Sequence, residues 1–485
     1  METGALYYGD CLEVMKNWPP GCVDLIYLDP PFNSKTNYNV LFGAGRVGDE
    51  GADLAQLTAF TDTWQWDEGA QRRVELIKRA VGHPAHLSIS AFSERYPDGS
   101  GMLSYLSYMA ERLAVMKSLL RRTGSIYLHC DPTASHYLKI VMDDIFRADN
   151  FRNEIVWCYS GPSRSSFHFP RKHDCILFYS KSERNSFFSD AMRIPHKRQT
   201  LSAGATGMAG GGRSFEEIRA NEAESLKRGK VVEDWWPDIG SGSHMPKKER
   251  LGYPTQKPLA LLERIIKASS KEDDVVLDPF CGCGTTIEAA HNLRRRWVGI
   301  DISTYAIEVI RRERMNDMKI PVHGVPKDLA AARHFAQTKP FDFEKWAVTR
   351  IRGFAPNTVQ RGDGGIDGRG KLHDPVLKNG LCIAQVKGGK PSVNDLRAFC
   401  GSLRGGKAAM GVFITLNQWN SPAVRQCIAD AGKLTIGATE YNRLVMYSID
   451  EHFNNIRPDL PALAHPRTGK AMQEELLDFQ DGRRQ

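Results

Sequence analysis

The sequence predicts an α/β protein of two domains, and three features predict it. Short apolar strands alternate with amphipathic helices through most of the first 320 residues, and a glycine turn joins a strand to a helix near residue 282. The pattern then breaks at IPVHGVPKDL (320–329), with two prolines and a glycine, before a smaller αβ pattern begins. At 485 residues the chain exceeds one ordinary core. Its apolar fraction of 41% and charged fraction of 25% fit a folded chain rather than a disordered one.

No apolar run reaches the ~18 residues of a membrane span. The start, METGALYYGD, lacks the basic-then-apolar order of a secretory signal. Ten scattered cysteines without a C-x-x-C pair argue against a zinc ribbon or disulfide framework and suit a reducing cytoplasm. The net charge of +8 permits a polyanionic partner without requiring one. Three basic clusters stand out: Lys247, Lys248 and Arg250; Arg294 to Arg296; and Arg311, Arg312 and Arg314. Each reads equally well as a nucleic-acid contact or a solvated face.

In chain order, VDLIYLD (Val23 to Asp29) is a buried strand ending in a proline turn. Leu106, Met109, Leu113, Met116 and Leu120 keep helical spacing. GSIYLHCD reads as a strand, HYLKIVMDDIF as a helix, and NEIVWCYS and DCILFYSK as two more strands. From about Asn185 to Pro246 the periodicity dissolves, and five glycines between Gly204 and Gly212 predict a mobile loop. LALLERIIKASS restores a helix and VVLD a strand.

VVLDPFCGCGTTIEAAHNL runs strand, glycine loop, helix. Gly282 and Gly284 shape the loop, and Thr285 or Thr286 is expected to cap the helix. The strand WVGID ends at Asp301, 23 residues beyond Asp278. This is the Rossmann-like geometry of a nucleotide half-site, in which glycines admit the ligand and an acid grips the ribose. The loop is not G-x-G-x-x-G, so a dinucleotide pyrophosphate is not expected. S-adenosylmethionine, which has no phosphate, needs room, a ribose acceptor and a partner for its amino-acid end. GYPTQKP offers that partner: Lys257 precedes a helix expected to begin at Pro258, where a lysine and free backbone N–H groups meet a carboxylate. Taken alone, each motif also reads as an ordinary turn.

DPPF (Asp29, Pro30, Pro31, Phe32) ends the first buried strand. A base amino group is a poor nucleophile because its lone pair is delocalised into the ring. Two acceptors on its hydrogens, the Asp29 carboxylate and the Pro30 carbonyl, draw the nitrogen toward sp³, and Phe32 stacks on the base. A base so used must leave its duplex.

With these residues in view, the chain resembles the β-class amino-methyltransferases of bacterial DNA, in which the catalytic motif precedes the cofactor motif. The resemblance spans roughly residues 5 to 315 and rests on YYGDCLEVM, LIYLDPPFN, FTDTWQWDE, FPRKHDCILFYSK, GYPTQKPL and DPFCGCGTT in family order. It implies a Rossmann-like S-adenosylmethionine-dependent methyltransferase domain acting on double-stranded DNA. It assigns Asp10 to the cofactor's adenine and Asp278, Phe280, Gly282 and Asp301 to the rest. Cys11, Thr255, Gly284 and Thr285, within the matching motifs, join the expected cofactor set. It also implies that about 185–246 reads the target sequence, and it allows a homodimer. Cys283 stands where many relatives carry serine, and Phe32 replaces the commoner tyrosine. Relatives acting on cytosine N4 usually carry serine at the position of Asp29, so the aspartate favours adenine N6. Related proline-proline turns that methylate glutamine or RNA bases form a third class, disfavoured by the long variable segment.

Beyond the break, FEKWAVTRIRGF reads as a helix carrying Glu344, followed by GDGGIDG with Asp367 and the strand LCIAQVKGG with Gln385 and Lys387. An acid followed by an x-K pair on the next strand can hold a divalent cation and orient a water against a phosphate. Asp367, Gln385 and Glu344 are the candidate metal ligands, with the Val386 carbonyl as a further one and Mg²⁺ as the expected ion. This resembles the Mrr-like branch of the PD-(D/E)xK nucleases, in which glutamine takes an acidic position; GVFITLNQWNSPA matches that branch too. A fold kept only for DNA binding is the alternative, since Gln385 supplies no charge. Gly365 to Lys371 fits the start of a P-loop, but Leu372 has no hydroxyl for magnesium and no helix follows. Histidines such as His129 and His173 are expected to serve packing or hydrogen bonding.

The resulting expectation is a methyltransferase domain over 1–318, a linker over 319–339, a restriction-endonuclease-like αβ domain over 340–455 and a polar tail over 456–485. Together they amount to a restriction-modification enzyme in one chain.

Overall fold

The computed structural model describes residues 1–31, 36–41, 56–62, 64–161, 166–195, 223–251, 253, 255–316, 318–357, 365–373, 380–404 and 408–464. Phe32 and the glycine-rich stretch 204–212 lie outside these residues.

A nine-stranded sheet organises the first domain. Its strands are β1 (Ala5–Tyr8), β2 (Val23–Leu28), β3 (Leu120–Cys130), β4 (Phe151–Cys158), β5 (His173–Ser180), β6 (Trp235–Trp236), β7 (Val275–Asp278), β8 (Arg296–Asp301) and β9 (Val322–His323). They lie in the order β9-β1-β8-β7-β2-β3-β5-β4-β6. The run from β9 to β3 is parallel, and β5 is antiparallel to both β3 and β4. Every residue of β2 is buried, as a central parallel strand covered on both faces requires. Its one charge, Asp24, is paired with Arg121 at 3.0 Å and accepts the Val275 backbone N–H at 2.8 Å.

Register aligns the ends that matter. Tyr8 pairs with Asp301, Gly299 with Asp278, and Ile26 with Leu277. The carboxyl ends of β1, β8, β7 and β2 therefore open side by side, where ligands of such sheets bind. Helix α1 (Cys11–Met15) follows β1. Helix α2 (Gly101–Leu119), capped by the Ser100 side chain accepting from Leu103 N–H at 3.0 Å, buries Leu106, Met109, Leu113 and Met116 on the spacing the sequence predicts. Helix α3 (Leu259–Ser269) begins one residue later than expected, with Pro258 as its N-cap.

Helix α4 (Thr285–Asn292) corrects an expectation. Its N-cap is Gly284, at φ +79°, and no side chain caps it. A Cβ at Gly284 would lie 2.6 Å from Ile310, so the left-handed turn and the close approach both require glycine. Thr285 and Thr286 face inward instead: Thr285 Oγ1 accepts from Arg314 at 3.2 Å, and the Thr286 hydroxyl bonds Asp278.

The basic cluster at 311–314 is also corrected. It is neither solvated nor free for DNA. After helix α5 (Thr304–Val309), the π-helical segment Ile310–Arg314 turns Arg311 and Arg312 onto Glu308 at 2.8 and 2.9 Å. Arg314 is buried against Glu288 at 2.7 Å and the Cys283 carbonyl at 3.0 Å.

The second domain is built on a five-stranded sheet, β10 (Ala355–Pro356), β11 (Gly368–Lys371), β12 (Leu381–Lys387), β13 (Met410–Thr415) and β14 (Leu444–Ser448), in that order. The segment expected as a linker is ordered. Within it, β9 extends the first sheet, and helix α6 (Leu329–Thr338), capped by Asp328, buries Phe335. The Phe335 ring stands edge-on to Tyr8 at 6.0 Å. Helix α7 (Pro340–Thr349) places Arg350, just past its end, 2.5 Å from Glu308. The two domains thus share a continuous apolar core and a buried ion cluster. Leu463, in the expected tail, is buried against Leu372.

Candidate active site

A solvent-open cleft lies at the aligned strand ends. Asp10 and Cys11 line one side, following β1, and Asp301 closes the end of β8. Asp278 ends β7, Phe280 and Gly282 come from the turn after it, Thr285 from the start of α4, and Thr255 and Lys257 from the segment before α3. Asp29, Pro30 and Pro31 line the far side, after β2. Distant stretches of sequence are thereby gathered around one space. Gly284 does not line the cleft; it shapes the turn from behind.

The acids at the floor are held firmly. Asp301 accepts backbone N–H groups from Gly282 and Ser303, both at 2.8 Å, which ties the glycine turn to β8. Asp278 accepts from the Phe280 N–H at 3.1 Å. Burial pushes Asp278 up to about 7 and Asp301 up to about 6, against hydrogen bonds that pull the other way. Asp10 caps α1 through Leu12 N–H at 2.8 Å, and its other oxygen meets Arg112 at 2.5 Å. Arg112 in turn lies 3.2 Å over the Tyr108 ring, which lines the cleft. Thr255 sits at φ +59°, an uncommon conformation for a β-branched residue and a mark of a constrained site.

At the Asp29 end, Lys257 Nζ lies 2.5 Å from Asp29 Oδ2. Lys257, Thr255, Gln256 and Tyr253 also line a second, wider cleft, whose remaining walls include Trp157, Tyr159, Arg171, Asp174 and Arg250. The two spaces meet along this segment. Asp29 lines the first cleft, and its partner Lys257 lines both, so Asp29 lies one side chain from the wider cleft. Behind Asp174, which lines the wider cleft, buried His129 bonds Tyr27 Oη through Nδ1 at 2.9 Å and Asp174 Oδ2 through Nε2 at 3.0 Å.

Sequence reasoning missed Tyr108, Arg112, Tyr253 and Asp174. One signal was available: Arg112 is a charge inside the apolar face of α2, a position that demands a buried partner.

In the second domain, Asp367 Oδ2 accepts the Val386 N–H at 2.7 Å, and Asp367 N–H donates to the Ala384 carbonyl at 2.8 Å, so Asp367 is fastened beside Gln385. Lys387 lies 3.3 Å from Asp395. Glu344 is on α7, which packs against β12. Gly368–Lys371 is an antiparallel strand rather than a phosphate loop, so no nucleotide cradle exists there.

Residues 23–312 match the DNA methylase family, and residues 335–444 match a restriction endonuclease family. The chain is 27% identical over 319 residues to the type II methyltransferase M.BamHI of Bacillus amyloliquefaciens, covering 66% of this chain and 58% of that one. It is 25% identical over 310 residues to the DNA adenine methyltransferase YhdJ of Escherichia coli, covering 64% and 81%. Among solved structures, a DNA modification methylase of Thermus thermophilus complexed with S-adenosyl-L-methionine is similar at 17% identity and a TM-score of 0.36, covering 66% of this chain and 99% of that one. The chain thus spans about three fifths of M.BamHI. The chain belongs to the DNA methylase family and carries a restriction-endonuclease domain behind its methylase domain.

Proposed function

We propose that the chain transfers the methyl group of S-adenosylmethionine to adenine N6 in DNA. The observation that carries this reading is that Asp29 shares one cleft with Asp278 and Asp301 and is paired with Lys257, a residue that also lines the second, wider cleft. The residues fit the cofactor: Asp301 and Asp10 retain lone pairs for ribose and adenine groups, and the buried acids favour a cationic ligand. When bound, the cofactor supplies an electrophilic methyl on a sulfonium. Asp29 and the Pro30 carbonyl then accept the two amino hydrogens of an extruded base, turning its nitrogen lone pair toward the cofactor. An aspartate at this position favours adenine over cytosine, and YhdJ is named as an adenine enzyme. Incubating the protein with DNA and labelled cofactor should yield N6-methyladenine. Asp29→Ala should lower transfer by about a thousandfold or more, with the loss falling on the methyl-transfer step far more than on cofactor affinity, because the carboxylate binds the acceptor amino group. Label found only on protein or RNA defeats the proposal.

For the second domain we propose Mg²⁺-dependent DNA cleavage. The Gln385 Oε1 atom is buried without a hydrogen-bond partner among the described residues, as a metal-facing oxygen would be. Asp367 and Gln385, with Glu344 behind them, would hold the cation, which supplies a polarised water at a phosphate. Lys387 would meet the phosphate charge. The alternative is a domain that only binds DNA, because Gln385 supplies no negative charge to a cation. Plasmid cleavage with magnesium, lost in Lys387→Ala, supports the nuclease; uncut plasmid in every methylation state supports the binding module.

A further inference from the structure

Lys257 stands between two carboxylates that serve different spaces. Its ammonium lies 2.5 Å from Asp29 Oδ2 in the cofactor cleft, and Lys257 and Asp174 both line the wider cleft. Both lysine and aspartate are largely withdrawn from water, with side-chain exposures of 9% and 17%. An ammonium held on Asp29 Oδ2 occupies one of its two oxygens and weakens the carboxylate as an acceptor for an incoming amino group. Drawing the ammonium aside would restore that acceptor.

Asp174 is built to receive it. Its Oδ2 is bonded to His129 at 3.0 Å and its Oδ1 to the Tyr159 hydroxyl at 2.9 Å. His129 is itself fixed by Tyr27 Oη at 2.9 Å and stands edge-on to Trp157. Burial would push the Asp174 carboxyl up, but the bonds and charges of His129, Lys257 and Tyr159 hold it below its ordinary value. A carboxylate braced on both oxygens cannot itself swing to Lys257, so the flexible lysine must be the moving partner. Asp174 thus offers a fixed negative charge on the side from which the base arrives.

We propose that Asp174, braced by His129 and Tyr159, is a positioning residue that draws the Lys257 ammonium off Asp29 when the acceptor amino group enters. The inference rests on the reading of Asp29 as the acceptor-binding carboxylate. Without Asp174 the ammonium loses this destination, and the base must displace it unaided.

The test is single-turnover methyl transfer by the full chain, with DNA and labelled S-adenosylmethionine both saturating, alongside binding constants for each. Asp174→Asn should lower the transfer rate by about 10- to 100-fold while both affinities stay within about threefold, since the lost interaction acts on orientation at the acceptor. Asp174→Glu should recover part of that loss. Tyr159→Phe, which removes one brace and keeps the ring, should lower the rate by a few fold, and it keeps the test open if Asp174→Asn does not fold. Rates within twofold of the parent in these variants, or a rate loss matched by lost binding, overturn the inference. Asp29→Ala separates the two possible failures. Transfer lost in Asp29→Ala but full in Asp174→Asn and Tyr159→Phe removes only the role of Asp174. Undiminished transfer in Asp29→Ala removes the assignment beneath it.

Discussion

Asp278 and Asp301 are acids kept near neutrality at the floor of a cleft that the proposal fills with a cation. Burial raises both, to about 7 and about 6. Because their folded values lie above their unfolded ones, the stability they contribute is present in full below the ordinary carboxylate range and is lost as pH rises through about 6 to 7. A cationic cofactor favours the ionised forms and reverses that loss. Binding of S-adenosylmethionine should therefore release protons between pH 6 and 7 and tighten across that window. Calorimetry in buffers of different ionisation enthalpy reads both effects; pH-independent affinity with no proton release contradicts them. At this scale the sequence displays motifs better than pairings. DPPF and the glycine turn are local, so their residue types alone suggest their chemistry. The Arg112–Asp10 and Lys257–Asp29 pairs join residues 102 and 228 positions apart, and nothing local announces them. Lys257, expected at the cofactor's amino-acid end, lines that cleft and also pairs with Asp29.

Among the elements, the helical stretch Thr304–Arg314 links the cofactor turn to the second domain. Arg314 holds the Cys283 carbonyl, and Glu308 gathers Arg311, Arg312 and Arg350. Burial alone would raise the Glu308 carboxyl; the three guanidiniums, Arg350 foremost, outweigh it and hold it well below the usual range. The sign is opposite to that of Asp278: this stability is present above the ordinary glutamate value and is lost as pH falls below it. Glu308→Ala should cost about 3–5 kcal/mol, since it leaves buried guanidiniums without their carboxylate. Thermal unfolding measures the loss, and limited proteolysis between the domains should become faster. An unchanged melting temperature contradicts the clamp. Strand and helix positions were largely legible because periodicity reports burial directly. The role of the arginine cluster was not, because composition cannot distinguish a solvated charge from one facing a distant buried acid. The cap of α4 was misread for a similar reason: a threonine beside a glycine turn is a good cap by type, but here its hydroxyl has partners inside.

At the level of the whole molecule, the two domains share core rather than hang from a tether, and the segment 319–339 supplies a strand and a helix to that union. A proline–glycine break in the sequence marks where one pattern stops; it does not say whether the chain there is slack. Lys387→Ala should abolish any magnesium-dependent cleavage while leaving methyl transfer within about twofold, since distant sites act independently. Loss of both activities in that variant contradicts separate sites. The central claim is that one carboxylate, Asp29, presents an extruded adenine to the cofactor cleft. The most direct test is to read base modifications across the chromosome of a host expressing the chain, beside a host expressing Asp29→Ala. The account predicts N6-methyladenine in one recurring sequence in the first and none there in the second. N4-methylcytosine in its place, or the same adenine marks in both hosts, contradicts it.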